Sequence, residues 1–173
     1  MNRYLFFFII VLFIGCDKTE DNIFTQTPDE RLKATADEYR EALFSAPNGW
    51  FLAVDTKKDG AYLLWMSFEE NERVGMLSDM DATFSKAGET SVVPCISSWR
   101  LKALLAPSLI FDTYSYLHIL ADPQGANNGG SNSEGLISDF EFRIVDTDNG
   151  GINLIGNYNG LLPKRQRKLY RED

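Results

Sequence analysis

The 173-residue chain has a single histidine, two cysteines and four methionines. It contains no His-x-x-x-His and no Cys-x-x-Cys spacing, which excludes a zinc site built from paired histidines or four cysteines. A Ser-His-Asp triad would have to rest on His118 alone. Positive charge is scarce too: 17 Lys and Arg stand against 25 Asp and Glu, a formal net charge of −8. Phosphate backbones are neutralised by clustered cations, so this balance excludes nucleic acid as a partner. No apolar run approaches the roughly 20 residues that cross a bilayer as a helix; residues 5–14 supply ten. What is present is core material for one domain, 44% hydrophobic and 13% aromatic residues, enough to exclude global disorder.

The short apolar run is an address. Arg3 precedes it and Gly15 and Cys16 follow it, so residues 1–15 read as a secretory signal peptide. Leu12-Phe13-Ile14-Gly15-Cys16 resembles a bacterial lipobox, in which the cysteine thiol is acylated and the chain is cut before it; Phe13 departs from the usual Leu. A cysteine carrying several acyl chains, palmitate among them, anchors stably where one chain would not. Asp17-Lys18-Thr19-Glu20-Asp21-Asn22 resembles the acidic export tags of Bacteroidota lipoproteins that reach the outer cell surface. Residues 16–26 are read as a lipidated tether, and the protein as held at the outer membrane through lipid on Cys16. With Cys16 so used, Cys95 has no disulfide partner and reads as an inert, half-buried thiol.

Thr27-Pro28-Asp29-Glu30 carries a helix start, with Thr as N-cap, Pro in the first turn and Glu completing a capping box. Leu32, Ala36, Tyr39 and Leu43 share one helical face until Pro47-Asn48-Gly49. From Trp50 the period becomes two, predicting strands at 51–54, 61–68 and 73–78 with connections too short for parallel crossovers. A second hairpin is predicted at 97–104 and 108–113 around Ala106-Pro107, and a short helix before Asp122-Pro123. Residues 125–135 read as a mobile loop, and 140–145 and 152–156 as a last hairpin about Asp146-Thr147-Asp148-Asn149-Gly150-Gly151. The fold class is therefore α+β, mostly β: over residues 27–160, an N-terminal amphipathic helix followed by an antiparallel meander sheet or partial barrel. Residues 161–173 hold Lys164, Arg165, Arg167, Lys168 and Arg171 and read as a basic tail left by truncation, with the domain incomplete.

Four stretches carry a resemblance: Asn48-Gly49-Trp50, Trp99-Arg100-Leu101-Lys102-Ala103-Leu104, the run from Pro107 to Pro123, and Gly135-Leu136-Ile137-Ser138-Asp139-Phe140-Glu141-Phe142. Together, over about residues 20–160, the chain resembles the family called domain of unknown function 4302. The resemblance implies a Bacteroidota lipoprotein, usually longer than this chain, encoded beside Sus-like outer-membrane uptake systems and a zinc peptidase. It implies no catalytic residues.

Trp99, Tyr114, Tyr116 and His118 are the candidate ligand-binding residues, since aromatic rings stack on sugars or line a peptide groove; Trp50, Trp65 and Tyr62 read mostly as core. Haem would need His118 with Met66, Met76 or Met80 as axial ligands. Asp146 to Gly151 partly matches a calcium loop but has Asn157 at the twelfth place. Asp79, Asp81, Asp112 and Asp139 could serve paired-carboxylate hydrolysis of glycan or peptide, at separations a sequence does not reveal. The reading favours no catalytic set, no cofactor and no metal. It points to a cell-surface or periplasmic lipoprotein, a non-catalytic accessory of a Sus-like, TonB-dependent uptake system that binds a small nutrient or a peptide, with an accessory hydrolase and haem or calcium binding as alternatives.

Overall fold

The computed structural model describes residues 26–80, 94–103, 106–148, 150–159 and 167–171. Cys16 and nearly all of the tether, Asp81, and Lys164 and Arg165 of the tail lie outside the described residues. The fold is mostly antiparallel β with one long helix near its N-terminus.

Helix α1 (Pro28–Phe44) starts on the expected device. Thr27 N donates to Glu30 Oε2 at 2.8 Å, and Glu30 N donates to Thr27 Oγ1 at 3.2 Å, a complete capping box with Pro in the first turn. The backbone N–H of Thr27 holds the Glu30 carboxyl below its ordinary pKa. Leu43 is buried, and Tyr39, Ala42 and Phe44 pack against the core. The corner after the helix needs Gly49. Its φ is +94°, and a Cβ there would lie 2.7 Å from both Met66 O and Trp65 Nε1.

Eight strands follow in chain order: β1 (Trp50–Asp55), β2 (Ala61–Phe68), β3 (Arg73–Ser78), β4 (Cys95–Ala103), β5 (Pro107–Phe111), β6 (Glu141–Asp148), β7 (Gly151–Gly156) and β8 (Arg167–Arg171). Strands β1 to β7 form one curled sheet in which each pairs with its sequence neighbour, and β8 lies between β7 and β1 to close the barrel. Buried side chains alternate along β1, β2 and β3, so Trp50, Leu52, Val54, Leu64, Met66, Val74 and Met76 meet in one core. Several limits differ from the predicted ones. Strand β4 runs from Cys95 to Ala103 against 97–104, and β5 starts on Pro107, a position tolerated at a strand start. Strand β6 runs through Asp146 to Asp148 because a bulge after Ile144 re-registers it and Asp146 accepts a hydrogen bond from Asn153 Nδ2 on β7. Arg167–Arg171, read as tail from its charge, pairs with two strands at once.

Residues 125–135, expected as a mobile loop, form a compact unit instead. Helix α2 (Tyr116–Ala121) leads into a 3-10 turn at Gly125–Asn127. Buried Asn128 donates from Nδ2 to Ile119 O at 2.8 Å and Asp122 O at 2.9 Å, closing the end of α2, and Gly129 N donates to Gly125 O at 2.7 Å. Small residues here serve close backbone approach: Gly135 has φ +60° with its Cα facing Asp122 O.

Alternate connections of a meander lie at opposite ends of its barrel. At one end, α1 enters β1 and meets the β2–β3 turn through Arg40 Nη2 and Glu72 Oε1, 3.6 Å apart. At the other end the long β5–β6 connection meets the β1–β2 turn, where Lys57 N donates to Leu136 O and Lys58 pairs with Glu134 at 2.8 Å.

Candidate functional site

The β5–β6 connection and the turn after β7 place four rings in a continuous row at the end of the barrel opposite the entry of α1. Tyr114 stacks on His118, centroids 5.7 Å apart and planes at 29°. His118 stacks on Phe140 at 4.4 Å and 22°, and Phe140 lies 6.5 Å from Tyr158 at 37°. The terminal rings face water: Tyr114 is 50% exposed and Tyr158 65%. His118 and Phe140 between them are half-buried. Offset-stacked rings with open faces are surfaces on which a planar or ring-shaped ligand can lie.

Each part of the row is fixed by its own backbone. Helix α2 begins at buried Ser115, whose Oγ shares a hydrogen bond with His118 Nδ1 at 3.1 Å. Burial pushes the His118 pKa down, opposed by the Phe111 backbone and the Asp112 charge. The Tyr114 hydroxyl donates to Asp122 Oδ2 at 3.3 Å; burial first and then this carboxylate raise the phenol's pKa. Tyr158 is held by Asp139, a buried carboxylate whose Oδ1 accepts from Tyr158 N at 3.0 Å and Asn159 N at 2.8 Å. The Tyr158 hydroxyl donates to Glu141 Oε2 at 3.4 Å, and the Glu141 charge is the first cause of its raised pKa. Both exposed phenols thus remain protonated in ordinary buffers, each beside a carboxylate.

Of the sequence-predicted candidates, the row contains Tyr114 and His118. Trp99 and Tyr116 require correction: both are core residues, 1% and 3% exposed. Trp99 packs edge-on against Phe44 and Phe68 and donates from Nε1 to Arg73 O, so it knits α1 to β2 and β3. Met66, Met76 and Met80 are buried in the barrel core. Asp79 accepts from Leu63 N, and Asp112 pairs with Arg100 at 3.0 Å. Among the described residues no three side chains of His, Cys, Asp or Glu come together as a metal-binding set. Cys95 is a half-buried thiol with Sγ 4.0 Å from Tyr114 O.

Phe140, Glu141 and Tyr158 were not identified from sequence. Phe140 stands 22 residues beyond His118 and Tyr158 a further 18, and no local periodicity links such positions. The usable signal was an aromatic residue within the polar turn Asn157-Tyr158-Asn159, where burial does not explain it.

The chain matches the family described as domain of unknown function 4302 over residues 20–165. It belongs to that family. No curated protein and no solved structure is significantly similar to it. The family match spans all four rings of the row, and the four stretches of resemblance map onto the parts that build it. Asn48-Gly49-Trp50 is the α1–β1 corner, Trp99 sits in β4, and 107–123 with 135–142 supply β5, α2 and the platform under Phe140. Among the described residues, no helix is long and apolar enough to cross a membrane.

Proposed function

We propose that this protein is a lipid-tethered, non-catalytic binding accessory of a Sus-like, TonB-dependent nutrient uptake system at the outer membrane of a Bacteroidota cell, with the row Tyr114–His118–Phe140–Tyr158 as its ligand surface. The observation that carries the binding role is the row itself: four rings in succession, exposed at both ends and braced by hydrogen bonds from underneath. A ring already braced by hydrogen bonds loses little freedom on binding and is pre-organised for a partner. The described carboxylates Asp79, Asp112 and Asp139 are each engaged in holding the fold, which favours binding over hydrolysis. The lipobox-like Cys16, the acidic segment behind it and the family's expected gene neighbourhood support the address.

Two measurements test this. Fractionation of cells with protease shaving should find the wild type on the surface and Cys16→Ser as uncleaved or soluble precursor; unchanged anchoring of the variant would refute lipidation. Screening glycans and peptides against the full chain should yield ligands whose binding is lost in the Tyr114→Ala/Tyr158→Ala double variant at unchanged melting temperature. Ligands indifferent to that double variant would remove the row from the function.

A further inference from the structure

The row has a charge as well as a shape. Tyr158 presents an exposed ring with the Glu141 carboxylate at its hydroxyl edge, 3.4 Å away. A carboxylate is an acceptor with about four lone-pair sites, and a single phenol proton leaves most of them available. The molecule uses the same combination internally: the Arg40 guanidinium lies 5.1 Å from the centroid of the Trp99 ring while its Nη2 approaches Glu72 Oε1 at 3.6 Å. There ring, cation and carboxylate come from one chain. At Tyr158 the ring is exposed and the half-buried Glu141 carboxylate lies at its hydroxyl edge.

An aromatic face beside a carboxylate discriminates among ligands. The ring quadrupole attracts a cation over its face, and a guanidinium can lie flat there while its N–H edge reaches the carboxylate. An anionic sugar or acidic peptide meets Glu141 as a like charge. A neutral pyranose gains stacking and a hydrogen bond but not the charge term. Lysine offers a point charge without the planar stack. At the other end Asp122 already accepts from Gln124 N and Asn127 Nδ2 besides Tyr114, so the Tyr158 end is the better cation receptor. The net charge of −8 attracts basic partners over the range that salt permits.

We propose that the Tyr158–Glu141 end of the row binds arginine side chains of a peptide or protein partner, with the guanidinium on the Tyr158 face and its N–H edge on Glu141. This rests on reading the row as the ligand surface and narrows the ligand to a basic peptide. The test is an NMR titration of the full chain in detergent, following the Tyr158 ring. The probes are a capped Gly-Arg-Gly-Arg-Gly peptide, its lysine and glutamine counterparts, and a neutral oligosaccharide. The arginine peptide should shift Tyr158 and bind tightest, should weaken about three- to tenfold in Glu141→Gln and with added salt, and should be lost in Tyr158→Ala. Equal binding of the glutamine peptide, or no effect of Glu141→Gln, overturns the arginine assignment while the row stands. Preference for the oligosaccharide with Tyr158→Ala as the only damaging variant overturns it in the same way. A Tyr158 ring indifferent to every probe overturns this inference, whereas the proposed function falls only if the ligands found in the wider screen are indifferent to the Tyr114→Ala/Tyr158→Ala double variant.

Discussion

Ser138 and Asp139 are adjacent and both buried, yet they stand in opposite hydrogen-bonding states. Asp139 Oδ1 accepts from Tyr158 N, Asn159 N and Asn159 Nδ2, whereas Ser138 Oγ is buried with no partner among the described residues. A buried unpaired hydroxyl has given up its water and gained nothing, so Ser138→Ala should raise stability by about 1 kcal/mol. Urea denaturation checks this; a lowered midpoint would mean that the hydroxyl is bonded in solution. Gly49 makes the reverse case. A side chain there meets both the left-handed φ and the Trp65 ring at 2.7 Å, and Gly49→Ala should cost about 2 kcal/mol or more in the same measurement. The turn character of Gly49 was legible in Pro47-Asn48-Gly49, because glycine after a helical stripe is a local signal. The engagement of Asp139 with a turn 19 and 20 residues away was not, since nothing in its neighbours announces it.

Among the elements, the clearest in sequence are those bounded by polar turns. Strands β2 and β3 have the expected limits, 61–68 and 73–78, because 61–68 is an almost unbroken apolar run, Val74 and Met76 alternate in the next strand, and a charged turn separates the two. Alternation does not say which face of β4 turns inward, so a sequence leaves Trp99 open as a ligand contact although it is core. Trp99→Ala should cost about 3–5 kcal/mol, from lost burial and its cavity, whereas Tyr114→Ala should leave the melting temperature nearly unchanged. Similar losses at both positions would contradict the burial pattern. In the β1–β2 hairpin, Tyr62 donates to Asp59 Oδ2 at 2.9 Å. Burial first, then the bond to Asp59 and the charges of Asp59 and Asp79, push its pKa from 10 up to about 12. The folded chain then holds this proton more tightly than the unfolded chain, so the stability gained is intact below pH 10 and is lost as pH rises toward 12. Tyr62→Phe should flatten the decline in denaturation midpoint across that window; an unchanged slope would show that the phenol titrates alike in both states.

For the whole molecule, the meander order was legible but its closure was not. Residues 167–171, Arg-Lys-Leu-Tyr-Arg, are too charged to look like a strand, and pattern reading assigned them to a tail. Their strand character comes from position: the free edges of β1 and β7 both carry unpaired backbone groups, and a chain laid between them satisfies both at once. Leu169 stands opposite Leu52 of β1 and Ile152 of β7. Proline at this position removes a backbone donor and cannot adopt the geometry of a strand flanked on both sides. Leu169→Pro should therefore cost about 3 kcal/mol or more and, more tellingly, should speed hydrogen exchange at Leu52 and Ile152, which lie far from it in sequence. The amides of β3 and β4, on the opposite wall, should lose protection only as far as global stability falls. If exchange quickens in β8 alone while β1 and β7 keep their protection, the closing strand contributes no stability and the curled sheet of β1 to β7 stands without it. If instead β1 and β7 open together, the barrel is one cooperative unit in which the basic strand is structural.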